Sequence, residues 1–412
     1  MRRPLAWVCT ALQGRHRGDN VRIVIVGGGI GGLTLAGALA RGGVRAEVLE
    51  QSHTSRSPGA GVRLSPNASR PLLRLGLGER LAAVSVRPER RDLLCWDSGE
   101  RIGSTPMGEF YERRYAAPYY TLLRSDLHAA VRSLVPREQA HPGRYVTDLL
   151  ESSDGIALRC SDGHEVYADV VVGADGLHSA VRGAVRPERQ HFAGISVHRG
   201  LVPVERSPFA TGERRVRVWL GPDRHFTCYP VDAGRLISFT AMTPAPRTRP
   251  GSWGTRDRIA DLLRAFEGWD PRVRALVSAS DWIGVWPLQE YTTLASWWRG
   301  RIALLGDAAH PMPPFLAQGT NLAVEDAIVL AACLRGADVT TVQDALARYS
   351  ALREERVRRV REGCWELLRL LYRDDGESPI LRAAAAASAG AEIADPDWLY
   401  GHDVDRVTAG LP

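Results

Sequence analysis

Lysine is missing from this chain of 412 residues, so all 53 basic residues are arginines. Mechanisms that need a lysine are excluded with it, which removes a Schiff-base enzyme, a P-loop NTPase and a lysine-dependent flavin halogenase. The net charge of +6 is modest, and no basic stripe interleaved with aromatic residues is present. We therefore expect no nucleic-acid partner.

Cysteines are few and scattered, and the six show no CxxC pair or metal-ligand spacing. A disulfide framework, a metal site and a dithiol redox centre are therefore not expected. Long apolar runs are also missing, since no stretch approaches the roughly 18 uncharged apolar residues of a membrane span. These absences favour a cytoplasmic protein without membrane contact. We interpret residues 1–20 as a disordered extension.

The segment "VRIVIVGGGIGGLTLAGALARGGVRAEVLEQ" predicts a strand, a glycine turn, a helix and a second strand. Gly27 permits the tight turn, Gly29 lets the backbone approach a pyrophosphate, and Gly32 lets the helix pack against the sheet. Glu50 ends the second strand, where an acid binds ribose hydroxyls. The pattern predicts dinucleotide binding and leaves NAD and FAD open.

Two more buried strands end in small residues and an acid, in "YADVVVGADGLHSAVRGAV" and "LLGDAAHPMPPFLAQGTNLAVEDA". The acids are Asp175 and Asp307, and ligands of open α/β sheets bind at such carboxyl ends of strands. After a proline-rich bend, a helix is predicted to begin near Gly319, with its free N–H groups facing this edge. Three such ends suggest one long ligand. The candidate cofactor residues are Gly27, Gly29, Gly32, Glu50, Arg124, Asp175, Gly306, Asp307, Gly319, Thr320 and Asn321.

Six motifs occur in one order: "PMGEFYERRY", "LLRSDLHAAV", "GADGLHSAVR", "GRIALLGDAAHPM", "AQGTNLAVEDA" and "DPDWLYGHD". In these motifs the chain resembles the single-component FAD-dependent aromatic hydroxylases related to 4-hydroxybenzoate hydroxylase, and most of all their 6-hydroxynicotinate 3-monooxygenase group. The resemblance implies FAD, NADH or NADPH as co-substrate, and O2. It implies hydroxylation of a phenol-like or hydroxypyridine-like ring through a flavin 4a-hydroperoxide, with or without loss of a ring carboxylate.

The same resemblance assigns the cofactor residues. Asp175 serves both FAD and NAD(P)H, Asp307 binds the ribityl chain, and Arg124 lies over the flavin or its phosphates, with Ser125 or Asp126 capping the helix. The helix start at Gly319 faces the pyrimidine edge of the flavin, where its positive end stabilises the anionic reduced state. The chain carries no second GxGxxG, and this family reduces its flavin without a separate nicotinamide domain.

His225 and Tyr229 are four residues apart in "DRHFTCYPV", which puts them on one face of a predicted strand. By the resemblance both face the aromatic substrate, where they hydrogen-bond to its hydroxyl or deprotonate it, and an imidazole titrating near neutrality suits the deprotonation. Arg63 and Phe315 stand where the nicotinate hydroxylases have histidines. Arg63 then pairs with a substrate carboxylate or phenolate, or contacts an FAD phosphate, and both readings stay open.

The pocket wall and the remaining histidines complete the candidate residues. Phe315 and the preceding Pro314 are expected to form a stiff apolar wall, which suggests a larger or less polar ring. His198 and His310 are interpreted as structural histidines in turns.

The predicted fold is α/β, a Rossmann-like FAD-binding domain with an inserted antiparallel β-sheet substrate domain and C-terminal helices. We place the FAD domain at 21–190, with an excursion into the substrate domain near 85–118, and at 291–340. The sheet domain spans 191–290 and the helical region 341–412. The long C-terminal helix has a charged middle, interpreted as a solvated face or subunit contact of a monomer or homodimer.

Two alternative functions fit the same residues. A flavin-dependent epoxidase or oxidative cyclase of natural-product biosynthesis would share the fold. A non-catalytic flavin-binding carrier or sensor would bind FAD and show no turnover.

Overall fold

The structure is a computed structural model, and it describes residues 21–53, 60–186, 190–245, 255–256, 259–291, 296–372 and 396–411. The extension predicted at 1–20 lies outside the described residues. No helix in the described ranges is long and apolar enough to cross a membrane.

The strands are numbered in chain order. The first ten are β1 (Ile23–Val26), β2 (Ala46–Glu50), β3 (Gly61–Leu64), β4 (Arg90–Cys95), β5 (Arg101–Pro106), β6 (Tyr120–Leu123), β7 (Ala140–Pro142), β8 (Val146–Ser152), β9 (Gly155–Cys160) and β10 (Glu165–Ala168). The next nine are β11 (Val170–Gly173), β12 (Gln190–Pro203), β13 (Arg215–Gly221), β14 (Arg224–Val231), β15 (Leu236–Pro244), β16 (Thr255–Arg256), β17 (Ile283–Tyr291), β18 (Trp298–Arg299) and β19 (Ile302–Leu304).

The α-helices are numbered likewise. They are α1 (Ile30–Arg41), α2 (Pro66–Leu72), α3 (Gly78–Val84), α4 (Gly108–Tyr115), α5 (Arg124–Arg132), α6 (Ala180–Val185), α7 (Ile259–Ala265), α8 (Pro271–Ala279), α9 (Gly319–Leu334), α10 (Val342–Leu371), α11 (Pro396–Tyr400) and α12 (Val404–Thr408). A π-helical turn covers Leu73–Leu77, and short 3-10 turns include Gly176–His178, Gly306–Ala308 and Pro314–Leu316.

A six-stranded sheet in the order β18-β19-β11-β1-β2-β7 forms the Rossmann-like core. All neighbours are parallel except β18 and β19. Strands β1, β11 and β19 are buried along their whole length, as expected for strands covered on both faces. These three are neighbours, so their carboxyl ends meet at one edge. The α/β prediction is confirmed.

The second large sheet has eight strands in the order β16-β17-β12-β15-β14-β13-β4-β5. It is antiparallel as predicted, except that β13 and β4 run parallel. One face carries Phe226, Phe239 and Trp219, which pack in a core with residues of α7 and α8. The strand alternation puts His225 and Tyr229 on the opposite face. One face therefore holds the sheet together and leaves the other for the site.

Helix α10 differs from its interpretation as a solvated or subunit-contact helix. Its middle carries Arg353, Arg356 and Arg361, whose relative exposures are 0%, 7% and 8%. Helix α10 packs against α9, and the sequence alone does not show the carboxylates on α9 that these arginines meet. The expected solvated face is present at Glu355, Arg358 and Glu362, and the prediction missed the buried face because charge periodicity cannot distinguish a solvated face from a buried ion-pair face.

Candidate active site

The glycines of the turn after β1 have different roles. Two of them are required by the fold, and one faces open space. Gly27 has a φ of +110°, and a Cβ there would lie 2.3 Å from the carbonyl oxygen of Ala174. A Cβ at Gly32 would lie 2.1 Å from the Gly27 oxygen, so α1 packs against the turn. A Cβ at Gly29 would meet nothing closer than 4.0 Å. The backbone before α1 is therefore open to a phosphate at the helix start.

Glu50 lies beside this turn, as the spacing predicts. Its Oε2 accepts from the Gly28 N–H at 2.7 Å and its Oε1 from the Ser52 N–H at 2.8 Å. The carboxylate is thus fixed at the carboxyl end of β2, where it can face a nucleotide ribose.

Arg124 lies between the two ends of the cleft. Burial lowers the pKa of its guanidinium, and the nearby carboxylates of Asp307 and Glu50 act in the opposite direction. An arginine within range of both is placed for the middle of a dinucleotide. Helix α5 begins at Arg124 itself with no side-chain cap, so the expected cap by Ser125 or Asp126 is wrong.

Asp175 builds the turn after β11. Its carboxylate accepts from the Ser179 hydroxyl at 2.5 Å and from backbone N–H groups of α6, while burial raises its pKa. Arg182 of α6 then donates to the carbonyl oxygens of Ala308, at 2.7 Å, and of Asp307. These bonds join the segments that follow β11 and β19.

Asp307 has exposed surface at this edge of the sheet, yet desolvation by the surrounding protein raises its pKa. The combination describes a carboxylate on the wall of a cleft rather than on a convex surface. A Cβ at Gly319 would lie 3.7 Å from the Asp307 Oδ1, so the start of α9 faces the same cleft. The first N–H groups of a helix have no intrahelical acceptor and favour an electron-rich ligand.

The side chain of Asn321 binds other protein groups rather than a ligand. Its Oδ1 accepts from the Ser65 N–H at 2.9 Å, and its Nδ2 donates to the carbonyl oxygens of Arg63 at 3.1 Å and Ala317 at 2.7 Å. The amide therefore ties α9 to β3. The backbone N–H groups of Thr320 and Asn321 lie in the first turn of α9 and remain the groups suited to a ligand.

A charged group beneath α9 was missed by sequence reasoning. We call it the paired cluster: Glu325, Asp326, Arg353 and Arg356. Arg353 donates to Asp326 at 2.8 Å and to Glu325 at 2.7 Å, and Arg356 donates to Glu325 at 3.1 Å. Asp326 also accepts from the Gly306 N–H at 3.0 Å. The cluster balances two negative with two positive charges and anchors the turn that carries Asp307.

The donor set along this cleft fits FAD. A glycine turn open at Gly29, an acid at Glu50 and an arginine at Arg124 suit the adenosine and pyrophosphate. Asp307 suits the ribityl hydroxyls, and the start of α9 suits the flavin ring. When bound there, FAD supplies the redox and oxygen chemistry, while the protein supplies position and electrostatics.

His225 and Tyr229 share the open face of the second sheet and are both buried. The Tyr229 ring centroid lies 6.0 Å from the Arg63 guanidinium carbon, and its hydroxyl hydrogen-bonds with Ser238. Arg63 is also within electrostatic range of His225. Arg63 thus lies on the substrate side, away from the glycine turn.

The expectation that His225 titrates near neutrality is wrong in this structure. Burial, and then the charge of Arg63, lower the pKa of His225 to about 3. The imidazole is therefore neutral at neutral pH. Its Nδ1 lies 3.1 Å from the hydroxyl of Tyr372.

A second arginine, Arg199, lies beside Arg63. Its guanidinium carbon is 5.6 Å from the centroid of the Trp286 ring. Its charge interacts electrostatically with Tyr229, Arg63 and Asp307. Burial lowers the pKa of Arg199, and its Nε is buried without a hydrogen-bond partner among the described residues. Neither arginine forms an ion pair within those residues, so we call Arg63 and Arg199 the open pair.

Phe315 packs against the aromatic rings beside it, and its place in the wall of a substrate pocket stays a prediction. Its ring centroid is 5.3 Å from that of His225 and 6.0 Å from that of Tyr372. Pro314 begins the 3-10 turn that presents Phe315. Val197, Met242 and Leu288 belong to the same apolar cluster.

The two structural histidines lie away from the pocket. His310 contacts the Asp326 carboxylate at 2.5 Å, beneath the turn. His198 contacts Thr243 at 3.0 Å on the sheet face opposite Arg199. Both are structural as expected, although His198 lies in β12 rather than in a turn.

Three site residues were not singled out from the sequence. Arg199 follows His198 in "GISVHRG", and strand alternation would have put it on the open face only once β12 and its register were known. Tyr372 ends a helix more than 140 positions from His225, and no local pattern connects them. Arg182 acts through the carbonyl oxygens of Asp307 and Ala308, and no local pattern connects it with them.

Comparison with known proteins agrees with this geometry. Residues 20–363 match the family model described as FAD binding domain. A 3-amino-4-hydroxybenzoate 2-monooxygenase of Streptomyces platensis is 39% identical over 94% of this chain and 97% of its own. A 6-hydroxynicotinate 3-monooxygenase of Pseudomonas fluorescens is 31% identical over 94% of this chain and 96% of its own.

Solved structures show the same fold. Klebsiella pneumoniae HpxO complexed with FAD and uric acid has a TM-score of 0.79 and 26% identity, covering 95% of each chain. A salicylate hydroxylase substrate complex has a TM-score of 0.78 and 24% identity, covering 95% of this chain and 98% of the other, and supports the fold alone.

These matches extend over nearly the whole chain and set aside the non-catalytic carrier. FAD is the cofactor and NAD(P)H the co-substrate, with O2 and a small aromatic molecule as reactants. The chain belongs to the FAD-binding domain family and is a flavoprotein monooxygenase of the aromatic hydroxylase type.

Proposed function

We propose that the enzyme hydroxylates an aromatic carboxylic acid whose ring also bears a hydroxyl or amino group. The observation that carries the proposal is the open pair. Arg63 and Arg199 lie beside His225 and Tyr229 and form no ion pair among the described residues. Burial desolvates Arg199, and two neighbouring arginines are stabilised by an anion that both can bind, since a carboxylate accepts two such donors.

The names of the relatives support the same class. One acts on an aminohydroxybenzoate and another on a hydroxynicotinate, both of which carry a ring carboxylate. The benzoate enzyme shares the higher identity, 39% against 31%. We therefore place a substituted benzoate ahead of a hydroxypyridine acid.

In this pocket the protein binds the aromatic ring of the substrate, orients it and excludes water from it. Arg63 and Arg199 hold the carboxylate, Phe315 packs against the ring, and Tyr229 and His225 offer hydrogen bonds to the ring oxygen. A ring carbon activated by an ortho or para oxygen or nitrogen donor is the site of hydroxylation. The start of α9 supplies fixed dipoles toward the flavin position, which needs no reorganisation during turnover.

The test is a stopped-flow screen of the purified holoenzyme with NADH or NADPH and matched pairs of acid and amide. We expect 3-amino-4-hydroxybenzoate or a close analogue to accelerate flavin reduction and to gain an atom of ¹⁸O from ¹⁸O2. The matching carboxamide should bind about 10-fold or more weakly, because it lacks the charge. Equal stimulation by acid and amide, or oxygenation of neutral rings alone, would contradict the proposal.

A further inference from the structure

His225 is held from behind by a residue of a distant helix. Its Nδ1 lies 3.1 Å from the hydroxyl oxygen of Tyr372, which directly follows α10. The two rings meet edge to face, with centroids 6.1 Å apart and planes at 79°. Phe315 packs against both rings. The imidazole is therefore fixed on its Nδ1 side, and Nε2 makes no hydrogen bond among the described residues.

Burial, more than the charged groups that face this pair, makes both partners neutral. Arg63, which lies in β3, approaches His225. Tyr229 lies on β14, the strand that also carries His225. The charges of Asp223 and Arg224 act on Tyr372. None of them is a carboxylate facing the imidazole. Burial raises the pKa of Tyr372 well above its usual value, so its phenol keeps its hydrogen.

The direction of the hydrogen bond follows from the hydroxyl. A buried O–H that lacks an acceptor destabilises the folded protein. His225 Nδ1 is the acceptor that the described residues provide for the hydroxyl of Tyr372. The phenol therefore donates to Nδ1. A neutral imidazole that accepts at Nδ1 carries its own hydrogen at Nε2.

We propose that Tyr372 is a positioning residue that fixes the Nε2–H tautomer of His225, so that His225 donates a hydrogen bond to the ring oxygen of the substrate and does not remove its proton. This inference rests on the proposed function, because it needs a ring hydroxyl in the pocket. The phenol O–H bond breaks as the substrate binds, and the proton leaves to solvent. The phenolate accepts the hydrogen bond of the His225 Nε2–H, and Arg63, which binds the carboxylate, favours the phenolate through its charge.

The test measures the pKa of a bound phenol rather than activity alone. The probe is 4-hydroxy-3-nitrobenzoate, whose phenolate absorbs visible light, titrated by difference absorbance on the holoenzyme. In the wild type we expect the pKa of the bound phenol to lie below that of the free probe. Tyr372→Phe keeps the ring packing and loses the donor, so phenolate binding should weaken about tenfold, equal to a rise of about one pH unit.

A second variant separates a donor from a base. The amide of His225→Gln can donate a hydrogen bond but cannot act as a base near neutral pH. We expect it to keep most of the lowered pKa of the bound phenol and to leave the acid limb of the kcat/KM pH profile in place. Tyr145→Phe, at a tyrosine that is 50% exposed, serves as the matched control.

Two results would overturn the inference. One is a Tyr372→Phe enzyme, with normal FAD content and Tm, that binds the probe with the wild-type pKa. The other is a His225→Gln enzyme that binds the probe only as the neutral phenol. Failure of the proposed function looks different, since the wild type would then turn over no hydroxylated aromatic acid.

Discussion

Two groups of arginines, one buried and one partly buried, differ in their partners. In the paired cluster, Arg353 and Arg356 meet Glu325 and Asp326, and all their charged groups lie within hydrogen-bond distance of an opposite charge. In the open pair, Arg63 and Arg199 lie over aromatic rings and repel one another, and no carboxylate in the described part of the chain forms an ion pair with either.

The difference in partners distinguishes arginines that stabilise the fold from arginines that bind a ligand. Buried charges that neutralise one another hold elements in place, and here they fix α9 and the turn after β19. Charges that are desolvated without a counter-ion raise the energy of the protein alone and are stabilised by an anionic ligand. In a chain whose basic residues are all arginines, residue type is uninformative, and burial together with the partner marks the site.

The largest expected effect is on stability, at the paired cluster. Arg353→Met leaves two buried carboxylates, Glu325 and Asp326, facing the single arginine Arg356, so we expect the free energy of unfolding to fall by about 3–5 kcal/mol. Urea denaturation of the holoenzyme at pH 7 measures it. The pKa of both carboxyls is lowered, so their stabilisation is present above their unfolded pKa values and is lost as pH falls through the folded ones. A loss below 1 kcal/mol would show that the cluster is dispensable.

The next effect is on substrate binding, at the open pair. Arg199→Gln and Arg63→Gln should each raise the KM for the aromatic acid by about 10- to 100-fold, because a charged hydrogen bond is lost. The amide analogue should be affected much less. Tm should stay the same or rise, since an unneutralised charge is removed. A fall in Tm comparable to that of Arg353→Met would place these arginines with the structural ones.

The cofactor half of the site was predictable because it relies on backbone conformation. Gly27 needs a positive φ, Gly32 needs contact with the turn, and both leave a fixed spacing in the sequence. Neighbouring parallel strands ending in Asp175 and Asp307 converge by topology alone. Such constraints are local, and the fold class follows from them.

The substrate half was only partly predictable because it depends on register and burial. His225 and Tyr229 were found from strand alternation, but the pKa of His225 is set by the enclosing protein and by Arg63. Arg199 needed the pairing of β12, and Tyr372 needed the path of α10. No spacing rule connects residues that meet only through tertiary packing.

A smaller effect is expected at Asp307, a charged group of the cofactor cleft that forms no ion pair among the described residues, although the charge of Arg124 acts on it. Burial raises its pKa, so its ionised form disfavours folding at neutral pH, and that cost disappears as pH falls through the folded pKa. Asp307→Asn should leave the FAD-free protein as stable or more stable at pH 7, with the difference narrowing at acid pH. FAD binding, followed by fluorescence quenching, should weaken about tenfold through loss of a charged acceptor. Unchanged FAD affinity would remove Asp307 from the cofactor site.

The smallest effect belongs to an arginine that is paired but exposed. Arg358 lies on α10 one turn from the paired cluster and bridges Glu355 and Glu362, each at 2.6 Å. Solvent screens these charges, and the long side chains lose rotamer freedom when they pair. Such pairs therefore contribute little to the free energy of unfolding. Arg358→Gln should therefore leave Tm within error and substrate KM unchanged. A Tm loss approaching that of Arg353→Met would mean that charge pairing along α10, and not burial of the pair, stabilises the helix, and the distinction between the two arginine groups would have to be redrawn.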